Sequence, residues 1–171
     1  MKISVASDHR GFKTKRAVIA RLVELQHEIR DVGTSDEMIC DYCDFASTAA
    51  WAVSKQQVER AILICGTGIG MSIVANKFKG VRAALCCDDA SAEVSRRHYD
   101  SNILCLPSDF VGQQMVLRIV EAWLTTSFAG GRHARRLAKI ACLEIDPSDK
   151  CEMNKNGIST VNVRSEDFQI D

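Results

Sequence analysis

The stretch "AILICGTGIGMSIVANK", residues 61 to 77, decides the fold. It opens with an apolar run of strand length, passes through glycines at 66, 68 and 70, and resumes an apolar rhythm that reads as a helix. A strand that turns through glycine directly into a helix is half of a βαβ unit, the building block of a parallel sheet. A cysteine, Cys65, stands at the join. It is either a packing residue that ends an interior strand or a reactive thiol placed where an anion or small polar substrate sits.

Outward from this stretch the same alternation repeats. "KISVAS" (2 to 7), "HEIRDV" (27 to 32), "AILIC" (61 to 65), "VRAALC" (81 to 86) and "NILCL" (102 to 106) are apolar or β-branched runs of strand length. Between them, Phe12 to Leu25, Phe45 to Val53 and Ala90 to Arg97 carry apolar residues at helical spacing. The pattern predicts an α/β domain: a three-layer, open, parallel five-stranded sheet, Rossmann-like, with helices on both faces. Two C-terminal helices, roughly Phe110 to Thr126 and Arg132 to Ile145, follow the fifth strand on either side of "SFAGG". From Pro147 the chain turns polar, and only "ISTVNV" has strand character. The expected organisation is a domain over 1–146 and a polar tail over 147–171, either flexible or docked on a partner subunit.

Lys plus Arg and Asp plus Glu balance at 22 each, so net charge does not argue for nucleic acid or an anionic membrane as a partner. The N-terminal apolar run ends at Asp8, too short for a signal peptide, and no stretch reaches the length of a membrane span. A cytoplasmic protein is therefore expected, and its eight cysteines are read as reduced thiols. Cys40 and Cys43 have the spacing of half a zinc site, but no second spaced pair completes it, so no metal is expected.

In open parallel sheets ligands bind beyond the carboxyl ends of the strands. Those positions here carry Asp8 and His9, the "CGTGIG" loop, "CDD" and "PSD". The glycine loop lacks the third glycine of a dinucleotide fingerprint, since position 71 is Met, and it lacks the Gly-Lys-Ser/Thr of a phosphate-binding P-loop. What it retains is a run of backbone N–H groups at a helix start, suited to an oxyanion. Tyr42 is either a packed aromatic or a hydroxyl facing the same crevice. His98 ends a polar helix and is by position either a surface or a functional histidine. Arg132 and Arg136, four apart, share a face near a helix start, where the dipole disfavours cations; they form either a solvated basic face or a site for an anion held between them.

Together "ASDHRGF", "DYCDFA", "ILICGTGIGMSIVANKFKGVRAAL", "SRRHYDSNILCL" and "GGRHARRLAKI" resemble, in order and spacing, the type B ribose-5-phosphate isomerase family, over about residues 1 to 145. That family also contains galactose-6-phosphate isomerase subunits. The resemblance implies aldose-ketose isomerisation of a sugar phosphate through an enediolate, without cofactor, in a homodimer or dimer of dimers whose active sites lie between subunits. It makes Cys65 the base that moves a proton between C1 and C2. It makes the loop Gly66, Thr67, Gly68, Ile69 and Gly70 the donor set for the enediolate. His98 matches the residue that opens the furanose ring, Asp8 a carboxylate near the sugar oxygens, and Tyr42 a lining residue. His9, Arg132 and Arg136 match phosphate ligands.

Three positions depart from that pattern. Tyr99 stands where the family commonly has Asn, so a phenol replaces a small amide that would meet substrate. Asp109 stands where an arginine commonly follows the fifth strand, exchanging attraction of phosphate for repulsion. "DYCDFA" lacks the usual proline after its tyrosine. The expected reaction is interconversion of ribose 5-phosphate and ribulose 5-phosphate. The alternatives are isomerisation of another four- to six-carbon sugar phosphate, or a non-catalytic subunit that pairs with an active paralogue.

Overall fold

The structure is a computed structural model that describes residues 1–144 and, beyond them, two strands of two residues each. The first compact unit, Met1–Ala129, holds the sheet. Its elements are β1 (Lys2–Ser7), α1 (Phe12–Glu24), β2 (Glu28–Asp31), α2 (Tyr42–Ser54), β3 (Arg60–Cys65), α3 (Ile69–Ala75), β4 (Ala83–Leu85), α4 (Asp89–Tyr99), β5 (Ile103–Pro107) and α5 (Gln113–Thr125). All strand pairs are parallel, in the order β2-β1-β3-β5-β4. This is the three-layer α/β architecture expected from the strand and helix rhythm.

Central strands read as continuous apolar runs because both of their faces are covered. Ile3, Val5, Ile62, Ile64, Leu104 and Leu106 meet the helical residues Val18, Leu22, Ala92, Val116, Ile119 and Trp123 of α1, α4 and α5. The alternate side chains Ala6, Ala61, Leu63, Cys65, Ile103 and Cys105 meet Ala46, Ala49, Ala50, Val53, Met71 and Ala75 of α2 and α3. Each fully buried Ile or Leu contributes about 1.5–3 kcal/mol relative to exposure. Period-two alternation thus decides which face Cys65 joins: the one under α2 and α3. The edge strand β2, "EIRD", is short and charged, which blunts pairing with other chains.

Several boundaries differ from the expected ones, with α5 starting at Gln113 instead of Phe110 and the last helix ending at Cys142 instead of Ile145, and two others differ for identifiable reasons. The strand expected over 81–86 is reduced to Ala83–Leu85. Val81 N–H donates to the Phe78 carbonyl at 3.1 Å, Arg82 N–H to Asn102 Oδ1 at 2.8 Å, and Ala83 N–H to Asn76 Oδ1 at 2.9 Å, so turn and side-chain acceptors replace a strand partner. Helix α2 starts three residues earlier than its apolar rhythm, which makes Tyr42 its first residue.

The second unit, Gly130–Asp171, contains α6 (Arg132–Cys142) and an antiparallel pair, β6 (Glu152–Met153) with β7 (Ser159–Thr160). The expected boundary between 146 and 147 lies outside the described residues, as does most of the expected tail. Cys142 is disulfide-bonded, so reduced thiols throughout do not hold there; Cys40, Cys43, Cys65, Cys86, Cys87 and Cys105 are free. Among the described residues no helix is long and apolar enough to cross a membrane.

Candidate active site

The sheet order reverses direction at β1, which lies between β2 and β3, so the chain leaves β1 and β3 toward opposite faces and opens a crevice between their carboxyl ends. Ser7 pairs with Ile64 in that register, which sets Asp8 beside Cys65 at the mouth. Asp8 N–H donates to the Ile64 carbonyl at 3.3 Å, fastening the two strand ends together.

Cys65 is the last residue of β3 and is buried, with 4% of its surface exposed. Its Sγ accepts a hydrogen bond from the Gly68 amide at 3.1 Å. The loop can fold back onto the thiol because Gly68 takes φ +71°, a left-handed conformation that costs other residues about 1–2 kcal/mol. Thr67 is exposed, and its Oγ1 accepts from Ile69 N–H at 3.2 Å, fixing the start of α3. Among the described residues the Gly70 and Met71 amides, in the first turn of α3, have no acceptor, as helix starts leave such groups. The loop therefore offers N–H groups beside a sulfur atom, as an oxyanion cradle requires.

Tyr42, the first residue of α2, lies across Gly70; a Cβ there would stand 2.5 Å from the Tyr42 Cζ and 2.9 Å from its hydroxyl oxygen. A hydrogen bond with Cys43, then the Cys43 charge, burial, and the charges of Cys65 and Asp41 raise the phenol above its ordinary pKa, so it stays protonated and able to donate. Both the ring and the hydroxyl of Tyr42 thus lie against the loop, and the residue remains partly exposed. Asp8 is buried, and its Oδ1 accepts from Gly11 N–H at 2.9 Å. His9 is half-buried, with Nδ1 accepting from Cys40 N–H at 3.3 Å.

Asp109, read from sequence as a bare repulsive charge, is instead ion-paired with Arg10 Nη2. Its loop is pinned to the cysteine loop: Ser108 N–H donates to the Cys65 carbonyl at 2.9 Å and Asp109 N–H to the Gly66 carbonyl at 3.1 Å. Arg10 escaped the sequence reading; "DHRG" held the only signal, a third charged or titratable side chain in the same tight turn.

A model of the ribose/galactose isomerase family matches residues 3–140. The chain belongs to that family. It is 45% identical over 143 residues to ribose-5-phosphate isomerase B of Escherichia coli, covering 84% of this chain and 96% of the relative. Among solved structures, the Clostridium thermocellum ribose-5-phosphate isomerase B superposes with TM-score 0.83 at 45% identity, covering 84% of this chain and 97% of the other. The Mycoplasma genitalium enzyme with bound ribulose-5-phosphate superposes with TM-score 0.81 at 41% identity, covering 84% and 95%.

This ribose/galactose isomerase chain does not by itself gather every candidate residue. His98 and Tyr99 end α4, which descends from the Asp88 rim to the start of β5. They therefore lie at the amino ends of the strands, while Cys65 lies at the carboxyl end of β3, a strand that spans roughly 17 Å. Their rings contact each other edge-on, with centroids 6.2 Å apart, and Tyr99 is 55% exposed. Arg132 and Arg136 lie in the first two turns of α6, both exposed, within the second unit. A cavity of about 390 Å³ lined by Val53, Ser54, Gln56, Glu59, Gly80 and Asn102 opens at the amino ends of the strands, away from Cys65. Among the described residues no three His, Cys, Asp or Glu side chains form a metal site.

Proposed function

We propose that this sugar-phosphate isomerase interconverts ribose 5-phosphate and ribulose 5-phosphate through an enediolate, with Cys65 as the base. The observation that carries the reading is the Cys65 thiol at the β1–β3 crevice, engaged at 3.1 Å by an amide of the loop that begins α3. In the forward direction the Cys65 thiolate takes the proton from C2, the C2–H electron pair forms the C1–C2 double bond, and negative charge moves to O1. Donors of the Gly66–Gly70 loop and Thr67 hold that charge. The thiol then returns the proton to C1, a carbonyl forms at C2, and the O2 proton is transferred to O1. Electrons balance without an external acceptor, so the scheme calls for no redox cofactor. Asp8 and Tyr42 orient the sugar oxygens, His98 assists ring opening, and His9, Arg132 and Arg136 bind phosphate.

The active unit in this reading is a homodimer, or a dimer of dimers, acting in the cytoplasm, with His98 and Tyr99 supplied to Cys65 by a second subunit. Their position at the far end of the sheet from Cys65 supports this arrangement. So do Trp51, Ile69 and Ile73, large apolar side chains left 45%, 51% and 56% exposed on α2 and α3. Cys65→Ala and His98→Ala should each abolish turnover of ribose 5-phosphate. After the two are mixed, dissociated and re-associated, about a quarter of native sites should return, because half of randomly paired dimers carry one intact site. No recovery, with re-association shown by sizing, refutes sharing. Native turnover in Cys65→Ala refutes the base. A panel of four- to six-carbon sugar phosphates tests the second reading, which Tyr99 favours by placing a phenol beside His98.

A further inference from the structure

The five loops that leave the carboxyl ends of the sheet, residues 8–11, 32–41, 66–68, 86–88 and 108–112, carry the carboxylates Asp8, Asp36, Glu37, Asp41, Asp88 and Asp109. They carry one lysine or arginine, Arg10. A sugar phosphate approaching this rim meets mostly negative charge, and Arg10 is the fixed cation that the sheet loops offer. Its ion pair with Asp109 is asymmetric: the arginine side chain is 59% exposed and the aspartate 28%. The carboxylate is the anchored member and the guanidinium the outward one. A Cβ on Gly66 would stand 2.6 Å from Asp109 Oδ2 and 2.7 Å from Arg10 Nε, so the pair rests on the backbone of the residue bonded to Cys65. The Ser108 hydroxyl oxygen lies 3.2 Å from the Arg10 carbonyl and 3.1 Å from the Cys65 carbonyl, in reach to donate to either, which places the arginine's backbone beside that of the thiol. Among the described residues Asp109 takes only Nη2, and the Nε and Nη1 donors have no acceptor.

We infer that Arg10 is a substrate-binding residue that recognises the phosphate of the sugar phosphate, and that Asp109 is its positioning residue. The inference rests on the isomerase reading for its ligand. A guanidinium with one edge held by a carboxylate keeps its remaining N–H donors pre-aimed, which suits the tetrahedral oxygens of a phosphate dianion. The charge reversal at Asp109 then acts through Arg10 instead of opposing the substrate.

The test is calorimetric titration of the full chain with ribose 5-phosphate, and separately with inorganic phosphate, alongside steady-state kinetics and thermal melts. Arg10→Ala should raise both Kd and KM roughly tenfold to a hundredfold with kcat little changed, the value of a charge-assisted hydrogen bond to a charged group. Asp109→Asn, which frees the guanidinium without removing it, should raise KM by less, with Tm nearly unchanged. The double variant Arg10→Asp with Asp109→Arg should recover much of the loss, because it returns a held cation to the same place. Native Kd and KM in Arg10→Ala would overturn the inference while leaving the isomerase reading standing. If the native protein binds ribose 5-phosphate but turns over no sugar phosphate, the isomerase reading falls and the Kd of Arg10→Ala alone decides the inference. A native protein that binds neither ligand overturns it outright.

Discussion

Gly68→Ala perturbs the thiol loop at one atom, and Gly80→Ala supplies its internal control. Both glycines have left-handed backbones, φ +71° at Gly68 and +74° at Gly80, so each alanine bears the same conformational cost of about 1–2 kcal/mol. Both also lose the same unfolded-chain entropy, which cancels in the comparison. The surroundings differ. A Cβ at Gly80 meets nothing within 4 Å, whereas one at Gly68 overlaps Leu85 Cδ1 and stands 3.1 Å from the Leu106 carbonyl carbon. Leu85 can rotate away, but the Leu106 backbone belongs to central strand β5 and cannot. Overpacking against a fixed wall adds about 1–3 kcal/mol, so Gly68→Ala should lose about 2–5 kcal/mol in total. In thermal melts the gap between the variants should be several degrees, since a chain of this size shifts by about 2–4 °C per kcal/mol. Displacement of the loop also lengthens the 3.1 Å bond from Gly68 N–H to Cys65 Sγ, so Gly68→Ala should lose turnover and Gly80→Ala should not. Equal melting points with equal turnover would show that the loop is not wedged between β4 and β5 and that its amide is not coupled to the thiol.

Burial, then charge on Cys65 and Cys86, hold the Cys105 thiol well above its ordinary pKa, and burial raises that of Cys86 against hydrogen bonds from Ser95 and Ser91. Iodoacetamide at neutral pH should therefore label exposed Cys43 and Cys87 and spare Cys86 and Cys105, as mass spectrometry of the peptides would show; substrate should slow labelling of Cys65 and inactivation together. Lys15, with 2% of its side chain exposed, donates to Asp31 and to the Thr34 carbonyl at 2.7 Å, so Lys15→Met should lose about 1–3 kcal/mol in urea unfolding. An unchanged urea midpoint would mean the contacts only balance the lysine's desolvation. Asp88 caps α4 by accepting from the Ser91 backbone, which lowers its pKa below 3.8. A carboxylate with a depressed folded pKa stabilises above its unfolded value and loses that contribution as pH falls through the folded value. Against Asp88→Asn, which caps without titrating, the native advantage in Tm should shrink below pH 3.8; an advantage constant into stronger acid would remove the cap as its source.

Legibility in the sequence followed how local each cause was. Strands β1, β3 and β5 were plain because burial on both faces leaves an unbroken apolar run, as in "RAILIC". Strand β4 was overdrawn because the acceptors that shorten it, Asn76 and Asn102, lie outside its own run. The early start of α2 was missed because its first turn, "YCD", is exposed and carries no apolar stripe. Cys65, Thr67 and the glycines were legible for the opposite reason: strand, turn and helix start are contiguous, so spacing alone sets the sulfur beside its amide donor.

The relation between Asp109 and Arg10 was illegible because it is a relation across 99 residues. Taken alone, a carboxylate at a phosphate-facing rim predicts repulsion, and an arginine after His9 predicts a solvated surface charge. The parallel register of β1, β3 and β5 brings the two loops together over Gly66, and the sum of the two charges is what a ligand meets. His98 poses the same problem at larger scale, since chain order puts it at the amino ends of the strands while the role proposed for it lies at the carboxyl ends, beside Cys65. The proposed dimer would resolve this by letting a second copy of the chain supply His98 to Cys65. The fraction of activity recovered when Cys65→Ala and His98→Ala subunits are combined measures that directly.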